Sequence, residues 1–505
     1  MGRKIVILAD AQELEHVITK ATNSRAMDQR LIRTAYYRKI YLEKRSRFSD
    51  SMIAALSATI PQSMLSLKTN EDWKKHRRVS APLMGSKYLR QMTPAIAQNA
   101  QTLVRLWNAK MEKAKANGAA CFSCEEDFKY ATLDAILLAT TGRSAAAVEN
   151  AISEVARTDP IVDEYGGATF GLRSLPICDA VTYLFKSIGD TVSLPPTLIY
   201  LFQQFLRWTP TFSKHYKTAI DTVDQSIAEH RQRTREARAF GESIEADCLI
   251  GMIVQNEGHS DKESFTEAEL RDEALGYILM KFLTDAPEVQ RALREELLGI
   301  VDDESEGRPL TFDEMASPEK TPYLEAVVAE ILRLSIVAGG STRRTTKPVE
   351  FLGYTIPAGT NLIYLSGLAC FNASIENEER LRSFDSKRTA KLQKNEGGGR
   401  ELWKTPTNKF EPGRWIKVDP DTGNKTFDPK AGFSFPFGFG LRACPGKQLA
   451  MLELKIYIAT LNLAFFLDRT PKELSSHRAG LKLSRFPLQA YVSPKPWTSE
   501  SAKSS

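Results

Sequence analysis

The run Phe437-Gly-Phe-Gly-Leu-Arg-Ala-Cys-Pro-Gly446 places one cysteine among residue types that suit a metal-bound thiolate. Two glycines and a proline within Phe435-Pro-Phe-Gly-Phe-Gly440 disfavour a helix there. Cys444 directly precedes Pro445, a residue favoured at the first helical position, so the spacing predicts that Cys444 stands at the N-terminus of a helix running over Lys447 to Leu467. Partial positive charge and unpaired N–H groups at such a terminus favour the thiolate over the thiol. Gly440 and Gly446 would let the backbone approach a flat cofactor and aim N–H groups at sulfur, which tunes its donation to a metal. Arg442 is placed to neutralise an acidic group nearby. The plainer alternative is a buried free cysteine at a helix start.

Four further sites carry charge in patterns that could serve a cofactor or a core. Glu330 and Arg333 share one face of a helix whose apolar stripe is Leu324, Val327, Val328 and Ile331, so they can pair. Phe410-Glu-Pro-Gly-Arg-Trp415 brings Arg414, and Trp73-Lys-Lys-His-Arg77 brings an aromatic and a guanidinium four residues apart. Arg343 lies ten residues before Gly353, next to Arg344. Taken singly, such pairs are most often solvated and contribute little. Cys121-Phe-Ser-Cys124 is a lone CxxC with no second pair to complete a zinc site, and it reads as two ordinary thiols; a redox role would need a strand–CxxC–helix setting.

The elements that must position these residues are mainly helical. Apolar residues recur at three- and four-residue spacing, as in Leu103, Leu106, Trp107 and Met111. Lys4 to Leu8 reads as a short strand, with Asp10 capping a following helix. Gly353-Tyr-Thr-Ile-Pro-Ala-Gly359 has the pattern of a hairpin with a Pro/Gly turn, and the polar, glycine-bearing stretch 377–408 that of a surface loop. The final helix is apolar nearly all round, which predicts burial. The net charge of +6 on 505 residues is too small and dispersed for a nucleic-acid partner. Six scattered cysteines favour a reducing setting over a disulfide framework. Thr191 to Leu206 falls short of the ~20 apolar residues a spanning helix needs. A core-packed helix after Pro195-Pro196 is the first expectation there, and an apolar patch dipping into a membrane interface the second.

Phe437, Gly440, Arg442, Cys444 and Gly446 match the pattern F-x-x-G-x-R-x-C-x-G without a mismatch, so the chain resembles the cytochrome P450 family. The pattern is specific, and the remaining clusters follow the family's order from about residue 4 to the C-terminal region. The resemblance implies a mainly α fold with a small β portion, in one domain over 1–495 with a disordered tail over 496–505. It implies haem b held by Cys444 as the proximal thiolate, with Phe437 beside it. Arg77, Arg343 and Arg442, with Trp73, would hold the propionates. Glu330, Arg333 and Arg414 would fasten the core behind the haem, although the family's Pro-Glu-Arg stands here as Pro-Gly-Arg. Implied partners are dioxygen, a small hydrophobic organic substrate met around 337–340 and 54–65, and an NADPH–cytochrome P450 reductase-type donor. Implied setting and role are the endoplasmic reticulum membrane and secondary metabolism.

The sequence departs from the family in its central helix. That helix normally carries a small-residue pair, an acid and a threonine that relay protons to bound dioxygen. Here a capping box at Thr266-Glu-Ala-Glu269 opens a helix in which Ala274 to Leu283 contains no acid, serine or threonine. Thr284-Asp285 has the order reversed and sits just before Pro287. The shortfall is roughly a dozen residues, or about 18 Å of helix. Three accounts compete: a segment lost between Leu279 and Met280 by mis-splicing or an incomplete gene model, which is the favoured one; a haem binder with impaired oxygen turnover; or chemistry that needs no oxygen protonation. The start also lacks the family's microsomal anchor and hinge, which reads as a truncation.

Overall fold

The computed structural model describes residues 5–8, 67, 71–80, 85–192, 194, 196–240, 247–255, 282–301, 308–335, 341–345, 348–351, 354–364, 409–429, 431, 434, 436–438, 443–481 and 485–498. Helix α1 (Glu71–Ser80) carries the Trp73/Arg77 pair, with Trp73 buried. Helix α2 (Ser86–Ala116) follows the apolar periodicity and buries Leu103, Leu106 and Trp107 completely. Helices α3 (Glu125–Thr141) and α4 (Ala147–Arg157) pack against it. Next come α5 (Pro176–Val192), α6 (Pro196–Trp208), α7 (Pro210–Phe240) and α8 (Leu249–Gln255). Helices α9 (Pro287–Leu298), α10 (Pro322–Ser335) and α11 (Lys447–Ala464) complete the core with α2. Helix α11 is buried at nearly every position from Leu449 to Asn462, as its uniform apolarity predicts.

Helix N-termini leave backbone N–H groups unpaired, and two carboxylates from neighbouring helices satisfy them. Asp134 of α3 accepts from Ala147 N at 2.9 Å and Val148 N at 3.0 Å at the start of α4. Glu296 of α9 accepts from Tyr323 N at 2.7 Å and Leu324 N at 2.9 Å at the start of α10. These bonds fix the relative placement of helices that apolar packing alone would leave free to slide.

The β portion is small. Ile5–Leu8 pairs in parallel with Asn361–Tyr364, which pairs antiparallel with Ser341–Arg344. A five-stranded sheet runs Phe466–Asp468, Tyr491–Lys495, Cys121–Ser123, Gly167–Thr169, Ile161–Val162. The predicted hairpin is shifted: its arms are Val349–Phe351 and Tyr354–Ile356, while Pro357-Ala-Gly359 leads into the separate strand Asn361–Tyr364. Gly359, at φ +79°, makes that turn possible and donates to Thr345 O at 2.8 Å.

Two expectations change. Helix α6 is core-packed on one side only: Ile199 and Gln203 are buried, but Tyr200, Leu201, Phe205 and Trp208 are exposed. The CxxC does lie in a strand–CxxC–helix setting, with Cys121 in a strand and Cys124 at the N-cap of α3. Burial, however, pushes Cys121 up to about 11 and Cys124 well above its ordinary value, so neither thiol is the activated kind. The helix expected after Asp10, the loop 377–408, the central helix from 266 to 281 and residues 499–505 lie outside the described residues. Among the described residues, no helix is long and apolar enough to cross a membrane.

Lys110 of α2 and Asp127 of α3 form an ion pair with both side chains buried, and Trp107 Nε1 donates to Asp127 at 3.1 Å. Replacing Lys110→Met leaves the Asp127 charge uncompensated and should cost about 3–5 kcal/mol of unfolding free energy, read as a lower urea midpoint. Lys110→Met with Asp127→Leu should recover most of that loss, and an unchanged midpoint in the single variant would contradict this account.

Candidate haem-thiolate site

Glu330 has no solvent exposure, and five donors converge on its carboxylate. Arg333 donates through Nε and Nη2, each at 2.7 Å, one turn further along α10. Arg414 Nε donates at 2.9 Å, Trp415 Nε1 at 2.9 Å and Glu411 N at 3.0 Å, all from the 3-10 turn Pro412–Trp415 and its lead-in. Both guanidinium groups also donate to Lys409 O at 3.2 Å. Burial lowers the Arg414 pKa, and the Glu330 charge acts in the opposite sense. One carboxylate therefore joins α10 to a segment 80 residues downstream. The glycine of Pro-Gly-Arg does not disturb this, because the arginine alone reaches Glu330. Trp415 is the member that charge-based sequence reasoning misses; its adjacency to Arg414 is the only signal for it.

Cys444 lies in the loop that leads into α11. Its N–H donates to Phe437 O at 2.8 Å, closing the loop. Gly438 takes φ +66°, the left-handed conformation that a side chain would strain. That glycine is a second residue missed in the sequence, where Gly440 and Gly446 attract attention instead. Helix α11 begins at Lys447 with Gly446 as N-cap, so Pro445 precedes the helix and does not open it. The start at Lys447 agrees with the expected range, but the helix stops at Ala464, short of Leu467, because Phe466–Asp468 pairs as a strand with Tyr491–Lys495. Cys444 is a free thiol and only partly buried, unlike the other free cysteines described, all of which are buried.

Arg77 reaches this loop from α1. Its Nη1 donates to Ala443 O at 3.1 Å. Burial lowers its pKa, while the charge of Cys444 close by acts to raise it. Trp73, one turn earlier, is buried. The structure thus brings Cys444, Phe437, Gly446 and Arg77 together at the start of α11, with Trp73 one turn from Arg77 on α1, and it joins Glu330, Arg333 and Arg414 as a separate triad. Arg343 has its backbone in the strand Ser341–Arg344, opposite Leu362. Its side chain, together with Gly440, Arg442 and the segments 337–340 and 54–65, lies outside the described residues. Asp285 pairs with His477 at 2.7 Å on a partly exposed surface next to α9.

The donor set fits an iron porphyrin. A partly accessible soft sulfur is the appropriate axial donor, and a half-buried guanidinium beside it suits a carboxylate of the macrocycle.

A family model described as Cytochrome P450 matches residues 16–370 and 399–488. The chain belongs to the cytochrome P450 family, and so it is an oxidoreductase of the haem-thiolate monooxygenase class. It is 27% identical, over 83% of its length and 74% of the relative's, to Cytochrome P450 monooxygenase xilC of Penicillium rubens. With Cytochrome P450 monooxygenase TRI13 of Fusarium sporotrichioides it shares 26% identity over 88% of this chain and 81% of that one. Among solved structures, a cytochrome P450 (CYP102L1) superposes with a TM-score of 0.61 at 16% identity, covering 98% of this chain and 89% of that one. That likeness carries the fold, mainly α with a small β portion.

Replacing Glu330→Gln keeps the shape but removes the charge that compensates the fully buried Arg333. The expected result is a loss of about 3–5 kcal/mol in denaturant unfolding, with partial recovery in Glu330→Gln/Arg333→Met. A midpoint within error of the parent would show that the triad does not hold α10 to the 409–415 segment.

Proposed function

We propose that the protein binds haem b through the Cys444 thiolate and inserts one atom of dioxygen into a small hydrophobic organic substrate. Electrons come from an NADPH–cytochrome P450 reductase-type donor. The observation that carries this reading is the Cys444 loop itself, closed by its bond to Phe437 and fastened to α1 by Arg77. Bound there, the haem supplies a redox iron whose thiolate donation favours O–O cleavage. The residues of the chain hold and orient it. Arg77, Arg343 and Arg442, with Trp73, take the propionates; Phe437, Gly440 and Gly446 shape the backbone around sulfur; Glu330, Arg333 and Arg414 keep the scaffold behind it rigid. The domain spans 1–495.

The family's usual setting at the endoplasmic reticulum membrane agrees with the exposed Tyr200, Leu201, Phe205 and Trp208 on α6, an apolar face suited to a lipid interface. A role in secondary metabolism is the matching biological context.

One sequence observation favours a second reading, a haem binder impaired in oxygen turnover: Ala274 to Leu283 offers no proton-relaying side chain. Sequencing the transcript and the genomic DNA between the codons for Leu279 and Met280 separates a splicing loss from a genuine deletion. An in-frame segment encoding Ala-Gly-x-Asp/Glu-Thr there restores the monooxygenase reading in full.

The reduced, CO-bound absorption spectrum tests the ligand. The parent protein should give a strongly red-shifted Soret band that Cys444→Ala lacks. Haem binding with an unchanged spectrum in Cys444→Ala would remove Cys444 from the site. NADPH consumption with a supplied reductase then separates a working monooxygenase from a binder.

A further inference from the structure

Away from the cysteine loop, three electron-pair donors converge where α7, α8 and the end of α3 meet. His230 Nε2, Asp247 Oδ1 and Cys248 Sγ all lie within 4.8 Å of one another. The imidazole is held from its other side, because Nδ1 is 2.9 Å from Ser226 O. A carbonyl oxygen only accepts, so Nδ1 carries a proton, and wherever Nε2 holds no second proton its lone pair faces the other two donors. That lone pair is 3.2 Å from the Asp247 carboxylate oxygen and 3.2 Å from Cys248 Sγ. A lone pair facing a carboxylate is repulsive unless a cation stands between them, either a second ring proton or a metal ion.

The surroundings favour the metal. A backbone carbonyl on the far nitrogen of a histidine is the usual outer contact of a metal-bound imidazole. Gly251 N donates to Cys248 Sγ at 3.2 Å, a contact that can serve a metal-bound sulfur, although burial pushes the metal-free thiol up to about 11. Arg233 holds the second carboxylate oxygen of Asp247 at 3.1 Å, which aims the first at the cluster. Gly142 and Gly251 form the walls: a Cβ on either would lie 3.1–3.3 Å from the histidine ring and 3.2–3.3 Å from Cys248 Sγ or Asp247 Oδ1. The Asp247 side chain is 47% exposed, which leaves one side open to solvent for entry and for a water ligand.

We propose that His230, Asp247 and Cys248 bind a borderline divalent transition metal, zinc being the best match to an N, O, S donor set. Tetrahedral zinc, with Zn–N near 2.0 Å and Zn–S near 2.3 Å, separates nitrogen from sulfur by about 3.5 Å. The nitrogen and sulfur, 3.2 Å apart, therefore need to spread by only a few tenths of an ångström. Binding displaces the Cys248 thiol proton to solvent, with no change in oxidation state. The ion clips the start of α8 to α7.

The test uses the full-length haem-loaded protein, treated with chelator, re-exposed to zinc at micromolar concentration and desalted. One zinc per chain should remain, and its K-edge X-ray absorption should contain one sulfur scatterer. Cys248→Ala should lose the sulfur signal, and both Cys248→Ala and Asp247→Asn should bind zinc at least about tenfold more weakly. Asp247, being half exposed, is the substitution least able to unfold the chain. No retained zinc, zinc without sulfur, or equal affinity in Asp247→Asn would each overturn the proposal.

Discussion

A carboxylate without solvent contact fixes the geometry of this molecule. Glu330 is stabilised only because five donors surround it, and those donors come from α10 and from the 409–415 segment. A buried charge so fully paired tolerates almost no displacement, since any shift leaves an ion uncompensated in a low dielectric. Helix α10 is in turn capped by Glu296 of α9, and both helices pack on α11. The Cys444 loop enters α11, so the triad sets the placement of the sulfur without touching it.

That arrangement suits a metal thiolate. The ligand must sit on a backbone that cannot collapse when the cofactor is removed, and it must remain accessible from one side. Cys444 meets both conditions: its N–H is used by Phe437 O, its neighbour Ala443 is held by Arg77, and its side chain is only partly covered. Arg77 serves twice, as a tie between α1 and the loop and as a positive charge close to the sulfur.

Much of the architecture could be read from the sequence, because it follows from periodicity. The apolar spacing through Trp107 and the uniform apolarity of α11 gave helices whose burial matches expectation, and the spacing of Glu330 and Arg333 gave their pairing. What escaped depends on contacts between distant residues or on backbone detail. Trp415 is invisible as a partner of Glu330 until the 3-10 turn folds against α10. Gly438 carries the left-handed conformation, while motif reading favours its neighbours. Helix α11 ends at Ala464, short of Leu467, because Phe466–Asp468 pairs with a strand from the C-terminal segment that local apolarity does not announce. Helix α6 exposes an aromatic face because its apolar residues exceed what one core-facing stripe can bury. The cluster of His230, Asp247 and Cys248 spans the α7–α8 connection, and no short motif announces it.

The central claim is that Cys444 sulfur is the axial donor to iron, and iron K-edge X-ray absorption of the resting haem-loaded protein addresses it most directly. The account predicts one sulfur scatterer in the first coordination shell of the parent protein and none in Cys444→Ser. A sulfur scatterer that persists in Cys444→Ser, or a parent spectrum with only nitrogen and oxygen donors, would contradict it.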